Sequence, residues 1–183
     1  MKIYTRKGDD GTTGLLYGGR VPKDDPAPTA YGSVDEAQAA IGLARAETRA
    51  DPADSPGELG EILLGIERDL WVLMAEVATD PGNHAKLTDG ASRVTPDMVA
   101  ALERQIDDVS GRFEMPTEFV VPGQTRPAAL LDVARTIARR AERRVIAVGD
   151  PPAQVVPYLN RLSDLLWALA RWQEGDSMTS RKG

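Results

Sequence analysis

Cysteine is absent from the chain, histidine occurs once, and phenylalanine, tryptophan and tyrosine together make up only 5% of it. Each shortage excludes something. Without cysteine there can be no disulfide, thiolate metal site or cysteine nucleophile. His84 alone cannot build a multi-histidine metal site, and any Ser-His-Asp triad would have to run through it. It sits in a turn-like Pro81-Gly82-Asn83-His84 stretch and reads as a surface residue. With so few aromatics, the core must come from Leu, Ile, Val and Ala, which suits packed helices better than sheets. No apolar run approaches the ~20 residues needed to span a bilayer, and the N-terminus has no apolar signal core. The expectation is a cytoplasmic protein without a membrane partner. A basic excess is missing too: 28 acidic against 22 basic side chains give a formal charge of −6, the wrong balance for coating nucleic acid. With 42% hydrophobic residues, the 183-residue chain reads as one domain, residues 1–183.

What is present centres on Thr125–Val145. Thr125 can N-cap a helix and Pro127 falls in its first turn, where a missing N–H costs little. At about 100° per residue, Leu130, Ala134, Ile137, Ala138, Ala141 and Val145 form an apolar arc. Arg135, Arg139 and Arg143 recur every four residues on another face, with Asp132 and Glu142 among them and Arg140 and Arg144 to the side. Guanidinium forks match phosphate oxygens and stay charged, so such a face suits an anion. The plainer reading is a solvated basic face balanced by local carboxylates. In an acidic chain, an arginine cluster fits a small polyanion in a pocket better than a nucleic-acid surface.

Residues 1–28 are the second unusual stretch. After a short extended piece, Lys2 to Thr5, come Gly8, Gly11, Gly14, Gly18 and Gly19. Thr5, Thr12 and Thr13 lie between them, with Arg6, Lys7, Arg20 and Lys23 around. Glycines admit close backbone approach, threonines add hydroxyls, and the cations add charge, a composition able to cradle phosphates. The GxxxxGK[ST] spacing of a Walker A loop is absent. A flexible glycine-rich tail has the same composition.

The remainder reads as helices. Pro22, Pro26 and Pro28 predict an irregular stretch before a first helix at about 30–49, or from Ser33 if Ser33-Val34-Asp35-Glu36 is a capping box. Asp35 then either complements the helix dipole or pairs with an arginine. Residues 50–57 read as a linker. A second helix spans about 58–78, with Leu59, Ile62, Leu63, Ile66, Leu70, Leu73 and Val77 inward and Trp71 as packing. Residues 79–94 are polar and read as an exposed loop. A third helix, capped by Thr95, runs to about 109, and Phe119–Gln124 links to the arginine helix. The last helix, about 155–173, gathers Asn160, Ser163, Asp164, Trp167 and Arg171 on one stripe and leucines opposite, as in a lined pocket or subunit interface. Residues 174–183 read as a frayed tail. The fold class is all-α: a five-helix bundle behind a glycine-rich extended N-terminal loop.

Three motifs together resemble the PduO-type ATP:cob(I)alamin adenosyltransferases: Lys2-Ile3-Tyr4-Thr5-Arg6-Lys7-Gly8-Asp9-Asp10-Gly11-Thr12-Thr13-Gly14, the arginine helix from Ala134 to Val145, and Tyr158-Leu159-Asn160-Arg161-Leu162-Ser163-Asp164. Tyr31–Glu36 and Phe119–Gly123 are similar to that family as well, so the resemblance runs in order from Lys2 to about Arg171. It implies a homotrimer of five-helix subunits with active sites between them. It also implies ATP at Thr5, Arg6, Lys7, Gly8, Thr13, Gly14, Lys23, Arg139, Arg140, Glu142, Arg143 and Asn160, with Mg²⁺ accompanying the nucleotide and no metal site of the protein's own. On the cobalamin side it implies Asp35, paired with Arg135 across a subunit interface, together with Phe119 against the lower corrin face and Trp167. Catalysis would fall to Arg139, Arg143 and Phe119. The partners implied are a corrinoid reductase and an adenosylcobalamin-dependent enzyme.

Two positions depart from the family pattern. Gln124 follows Gly123 where a second glycine is common, and Asp132 stands where histidine is common. Both border the corrin side. They are the only sequence support for the alternative of an ATP-binding helical regulatory module that has lost adenosyl transfer. A structural helical bundle whose arginine face binds a protein or RNA partner is a further alternative; the acidic balance argues against RNA, and such a bundle would leave the glycine-threonine loop without a use.

Overall fold

The computed structural model describes residues 2–48 and 57–180. Among them the chain forms two short antiparallel strands, β1 (Thr12–Gly14) and β2 (Arg20–Pro22), and five α-helices. These are α1 (Pro26–Ala46), α2 (Glu58–Val77), α3 (Pro96–Ser110), α4 (Arg126–Ile146) and α5 (Val155–Glu174), with a 3-10 helix at Pro81–Lys86 before α3. The architecture is mostly helical, as expected, but the glycine-rich loop is not simply extended: Thr12 pairs with Pro22, Thr13 with Val21 and Gly14 with Arg20. The linker read at residues 50–57 lies, Gly57 apart, outside the described residues. No helix among the described residues is long and apolar enough to cross a membrane.

The first helix begins earlier than its prolines suggested. Asp25 is its N-cap, accepting from Ala27 N at 3.0 Å, and Pro26 is the first helical residue. Pro28 still falls in the first turn, where no backbone N–H has a helical acceptor, so neither ring interrupts a bond. Ser33 is therefore mid-helix rather than a cap, and its hydroxyl donates to Thr29 O. Thr95 and Thr125 cap α3 and α4 as their sequences indicate, accepting from Met98 N and Ala128 N.

Helix α4 is central, packed against α1 on one side and α5 on the other; α2 flanks α1, and α3 flanks α5. Small residues make this possible. Ala30, Val34, Ala37, Ile41 and Ala44 of α1 face Ala128, Leu131, Ala134, Ala138, Ala141 and Val145 of α4, all buried at three- and four-residue spacing. The buried stripe of α4 is rotated slightly from the expected arc. Leu131 lies in it, while Leu130 and Ile137 sit at its margin. Leu63, Leu70 and Leu73 of α2 and Leu159, Leu162, Leu165, Leu166 and Leu169 of α5 complete the core, each worth about 1.5–3 kcal/mol on burial.

Two other expectations change. Trp71 does not pack inward: it is 65% exposed, on the rim of an α1–α2 groove that includes Asp35 and Arg45. The polar 79–94 stretch is built rather than loose. Asp80 caps the 3-10 helix, Glu76 accepts Val94 N at 2.8 Å, Arg93 donates to His84 O, and Leu87 and Val94 are buried.

Candidate active site

The N-terminal cradle is assembled by its own side chains. Arg20, on β2, donates to Thr12 Oγ1 and to Lys7 O, tying the strand pair to the preceding loop. Asp10 accepts both the N–H and the hydroxyl of Thr12. Those bonds, with lesser help from Arg20, hold its carboxyl below the usual range. Gly8 sits in close approach: a Cβ there would lie 3.1 Å from Lys23 Nζ and 3.2 Å from Thr12 O, so a side chain would push either neighbour back by a few tenths of an ångström. Lys23 N donates to Gly11 O at 2.9 Å, so Gly8 and Lys23 are brought together. Arg6 has φ 61°, a left-handed backbone that an arginine adopts only at a cost of about 1–2 kcal/mol, and its guanidinium lies over the Tyr4 ring. Thr5, Arg6 and Lys7 are exposed, while Thr13 is half-buried and Gly14 exposed in β1. Leu16 N donates to Ala78 O, docking the cradle on the end of α2.

On α4 the arginines divide by partner. Arg135 pairs with Asp132 at 3.1 Å, and Arg140 pairs with Glu36 of α1. Arg139 and Arg143 are exposed and, among the described residues, make no ion pair. Arg144, to the side of that face, is exposed and open in the same way. Glu142 and Asn160 meet across the α4–α5 contact, Asn160 Nδ2 donating to Glu142 Oε1 at 3.2 Å. The opposite edge of Asn160 accepts from Arg161, which also reaches Glu103.

The cobalamin-side residues are spread more widely. Asp35 is exposed on α1 and has no partner in its own chain among the described residues, so it does not meet Arg135 within one subunit. Phe119, in the link before α4, is 87% exposed. Trp167 is half-buried, edge-on to Phe113 with ring centroids 6.1 Å apart, and the Arg171 guanidinium lies 5.5 Å from its centre.

Beneath them lies a network that the sequence did not reveal. Asp132, 4% exposed, accepts from Arg135 on one oxygen and from Arg171 at 2.5 Å on the other. Arg171, 1% exposed, also binds Glu174 at 2.9–3.0 Å. Two arginines and two carboxylates thus neutralise one another inside the bundle. The stripe on α5 hinted at this, but its partner on α4 stands 39 residues away. The role of Arg20 as the strut of the cradle was likewise hidden among the other cations.

Known proteins can now be set beside this geometry. The family described as cobalamin adenosyltransferase matches residues 3–173. The chain belongs to the cobalamin adenosyltransferase family. It is 40% identical over 176 residues to a corrinoid adenosyltransferase of Citrobacter freundii, covering 94% of this chain and 95% of that one. It is 39% identical to the corrinoid adenosyltransferase of Bacillus subtilis, over 93% and 86% of the two chains. Against the corrinoid adenosyltransferase PduO of C. freundii, 38% identical, it spans about half of the relative's length. A variant PduO-type ATP:corrinoid adenosyltransferase from Lactobacillus reuteri, complexed with cobalamin and ATP, superposes with a TM-score of 0.85 at 30% identity, covering 98% and 97% of the chains. A second variant from that source is complexed with ATP.

A cavity of about 310 Å³ lies elsewhere, between the hairpin base, the end of α2 and the α4–α5 connection. Of the four carboxylates that line it, Asp25 and Asp80 are helix caps, Glu76 accepts Val94 N and Asp150 is exposed, and none of the candidate ligand residues lines it. His84 borders this cavity and is half-buried, with Nε2 3.2 Å from Thr79 O, rather than standing free on the surface.

Proposed function

We propose that this protein transfers the 5′-deoxyadenosyl group of ATP to the cobalt of cob(I)alamin, giving adenosylcobalamin and free triphosphate. The observation that carries the reading is the i, i+4 pair Arg139 and Arg143, exposed and, among the described residues, without an ion pair, beside Arg135 and Arg140, which have carboxylate partners; Arg144, to the side, is open as well. Cobalt(I) attacks the ribose C5′; the C5′–O bond breaks, and its electrons leave with the triphosphate. That leaving group carries several negative charges, which Arg139, Arg143, Lys23, Arg6 and Lys7 neutralise as they develop. Thr5, Gly8, Thr13 and Gly14 offer backbone and hydroxyl groups to the nucleotide, and Arg140, Glu142 and Asn160 border it. Mg²⁺ enters with the nucleotide as the counter-ion of its phosphates.

On the corrin side, the exposed Phe119 ring occupies the space of the lower axial ligand. Four-coordinate cob(II)alamin is then easier to reduce, and a corrinoid reductase supplies the electron. Trp167 lines the site. Asp35, without a partner in its own chain among the described residues, reaches Arg135 of a neighbouring subunit, and the working unit is a trimer with sites shared between subunits. A cytoplasmic enzyme delivering its product to an adenosylcobalamin-dependent enzyme completes the reading.

The test is anaerobic: purified protein, Mg-ATP and chemically reduced cobalamin, with the visible spectrum followed and triphosphate measured. Conversion to the light-sensitive adenosyl form with equal triphosphate is the expected outcome, from a species of three-subunit mass by light scattering. ATP binding without conversion would replace the proposal with a nucleotide-binding module, and activity in a monomer would remove the shared site.

A further inference from the structure

Phe119 has almost nothing to hold its ring. It is 87% exposed, so its place is set by the backbone around it, and that backbone is held by the segment that follows α5. Ser180 N donates to Phe119 O at 2.7 Å, Val121 N donates to Met178 O at 2.8 Å, and Val120 lies antiparallel to Thr179. The described part of the stretch expected to fray, up to Ser180, therefore forms a strand-like pair with the link that carries Phe119.

The tail reaches that position through a fixed turn. Gly175 has φ 71° and ψ −89°, a conformation that side-chain-bearing residues rarely adopt, and it reverses the chain directly after α5. Just before the turn, the fully buried Glu174 carboxylate accepts the Ser177 hydroxyl at 3.0 Å and takes the Arg171 guanidinium. Arg171 is in turn held by Asp132 of α4. The tail is thus anchored at its root to two core helices and paired at its far end with the Phe119 link.

We infer that Gly175–Ser180 is a positioning strand for Phe119, holding the link so that the ring stands in the corrin site during cobalt reduction. Ser180 and Glu174 touch no reacting atom; they act through the Phe119 backbone. The inference rests on the role given to Phe119 under the proposed function.

The decisive variant is Ser180→Pro in the full chain. Proline removes the one N–H that donates to Phe119 O, and Thr179, already extended in its bridge, suits the residue before a proline. Ser180→Ala keeps the N–H and serves as control. Each protein is assayed from cob(II)alamin with a reductant and from prereduced cob(I)alamin, and the ratio of rates is taken on one preparation so that any loss of folded protein cancels. Ser180→Pro should lower the cob(II)alamin rate by about fivefold, the worth of one net backbone hydrogen bond, with the cob(I)alamin rate unchanged and Ser180→Ala like wild type. A wild-type ratio in Ser180→Pro overturns the inference. Phe119→Ala, run alongside, separates the two claims. If it changes the ratio and Ser180→Pro does not, the positioning strand alone fails. If Phe119→Ala leaves the ratio unchanged, the role of Phe119 fails and the inference with it.

Discussion

At the residue scale, what distinguishes the arginines of α4 is the company each one keeps. Arg135 and Arg140 are tied to carboxylates, while Arg139 and Arg143 project from the same helix with open forks. An exposed, unpaired side chain adds little to folding, so Arg139→Ala should leave the unfolding free energy within about 0.5 kcal/mol of wild type. Turnover with ATP should nevertheless fall by about a hundredfold or more, because a preorganised donor to the departing triphosphate is gone. Arg139→Lys should recover only part of the loss, since a point charge does not replace a planar fork. Steady-state kinetics beside urea unfolding separates the two effects, and near-normal turnover in Arg139→Ala would refute the phosphate assignment.

At the scale of the elements, the caps of α3 and α4 and the inward face of α2 could be read directly, because they follow from neighbours in sequence. Thr125 followed by Pro127, or Thr95 by Pro96, is local chemistry. The start of α1 could not be read from proline content alone, since the same residue breaks a helix interior and suits a first turn. The contact of Asp132 with Arg171 was out of reach for a different reason. It depends on how α4 crosses α5, and each residue taken singly looks like ordinary surface polarity on its helix. The same crossing brings Glu142 to Asn160, which sequence spacing did not show either. The consequence of the buried network is specific. Asp132→Asn leaves Glu174 as the one carboxylate facing Arg171 and should destabilise the protein by about 3 kcal/mol, near the lower end for breaking a buried pair. Replacing both residues by leucine should cost less than the sum of the single changes. A double-mutant cycle in urea measures that coupling, and strict additivity would mean that the two side chains do not support one another.

At the scale of the whole molecule, the bundle carries its charges in two ways, and their responses to pH differ. Asp10, on the exposed cradle, is held low by its bonds to Thr12. Glu76 and Asp69 are held above the ordinary carboxyl range by burial, against opposing hydrogen bonds from Val94 and Tyr158 respectively. Asp69 accepts from the buried Tyr158 hydroxyl at 2.9 Å, joining α2 to α5, and burial first, then the Asp69 charge, pushes the tyrosine's pKa well up. For Glu76 the sign is fixed by proton affinity: the folded protein binds this proton more tightly than the unfolded chain, so its contribution to stability decreases as pH rises from 4.5 through the raised value. Glu76→Gln keeps an amide oxygen for Val94 N–H but cannot titrate. Measured by urea unfolding at fixed protein concentration from pH 7 down to 4.5, wild type should gain steadily on Glu76→Gln, since only wild type takes up the proton that the fold prefers. A difference independent of pH would show that the buried carboxyl is no harder to ionise in the bundle than in the open chain.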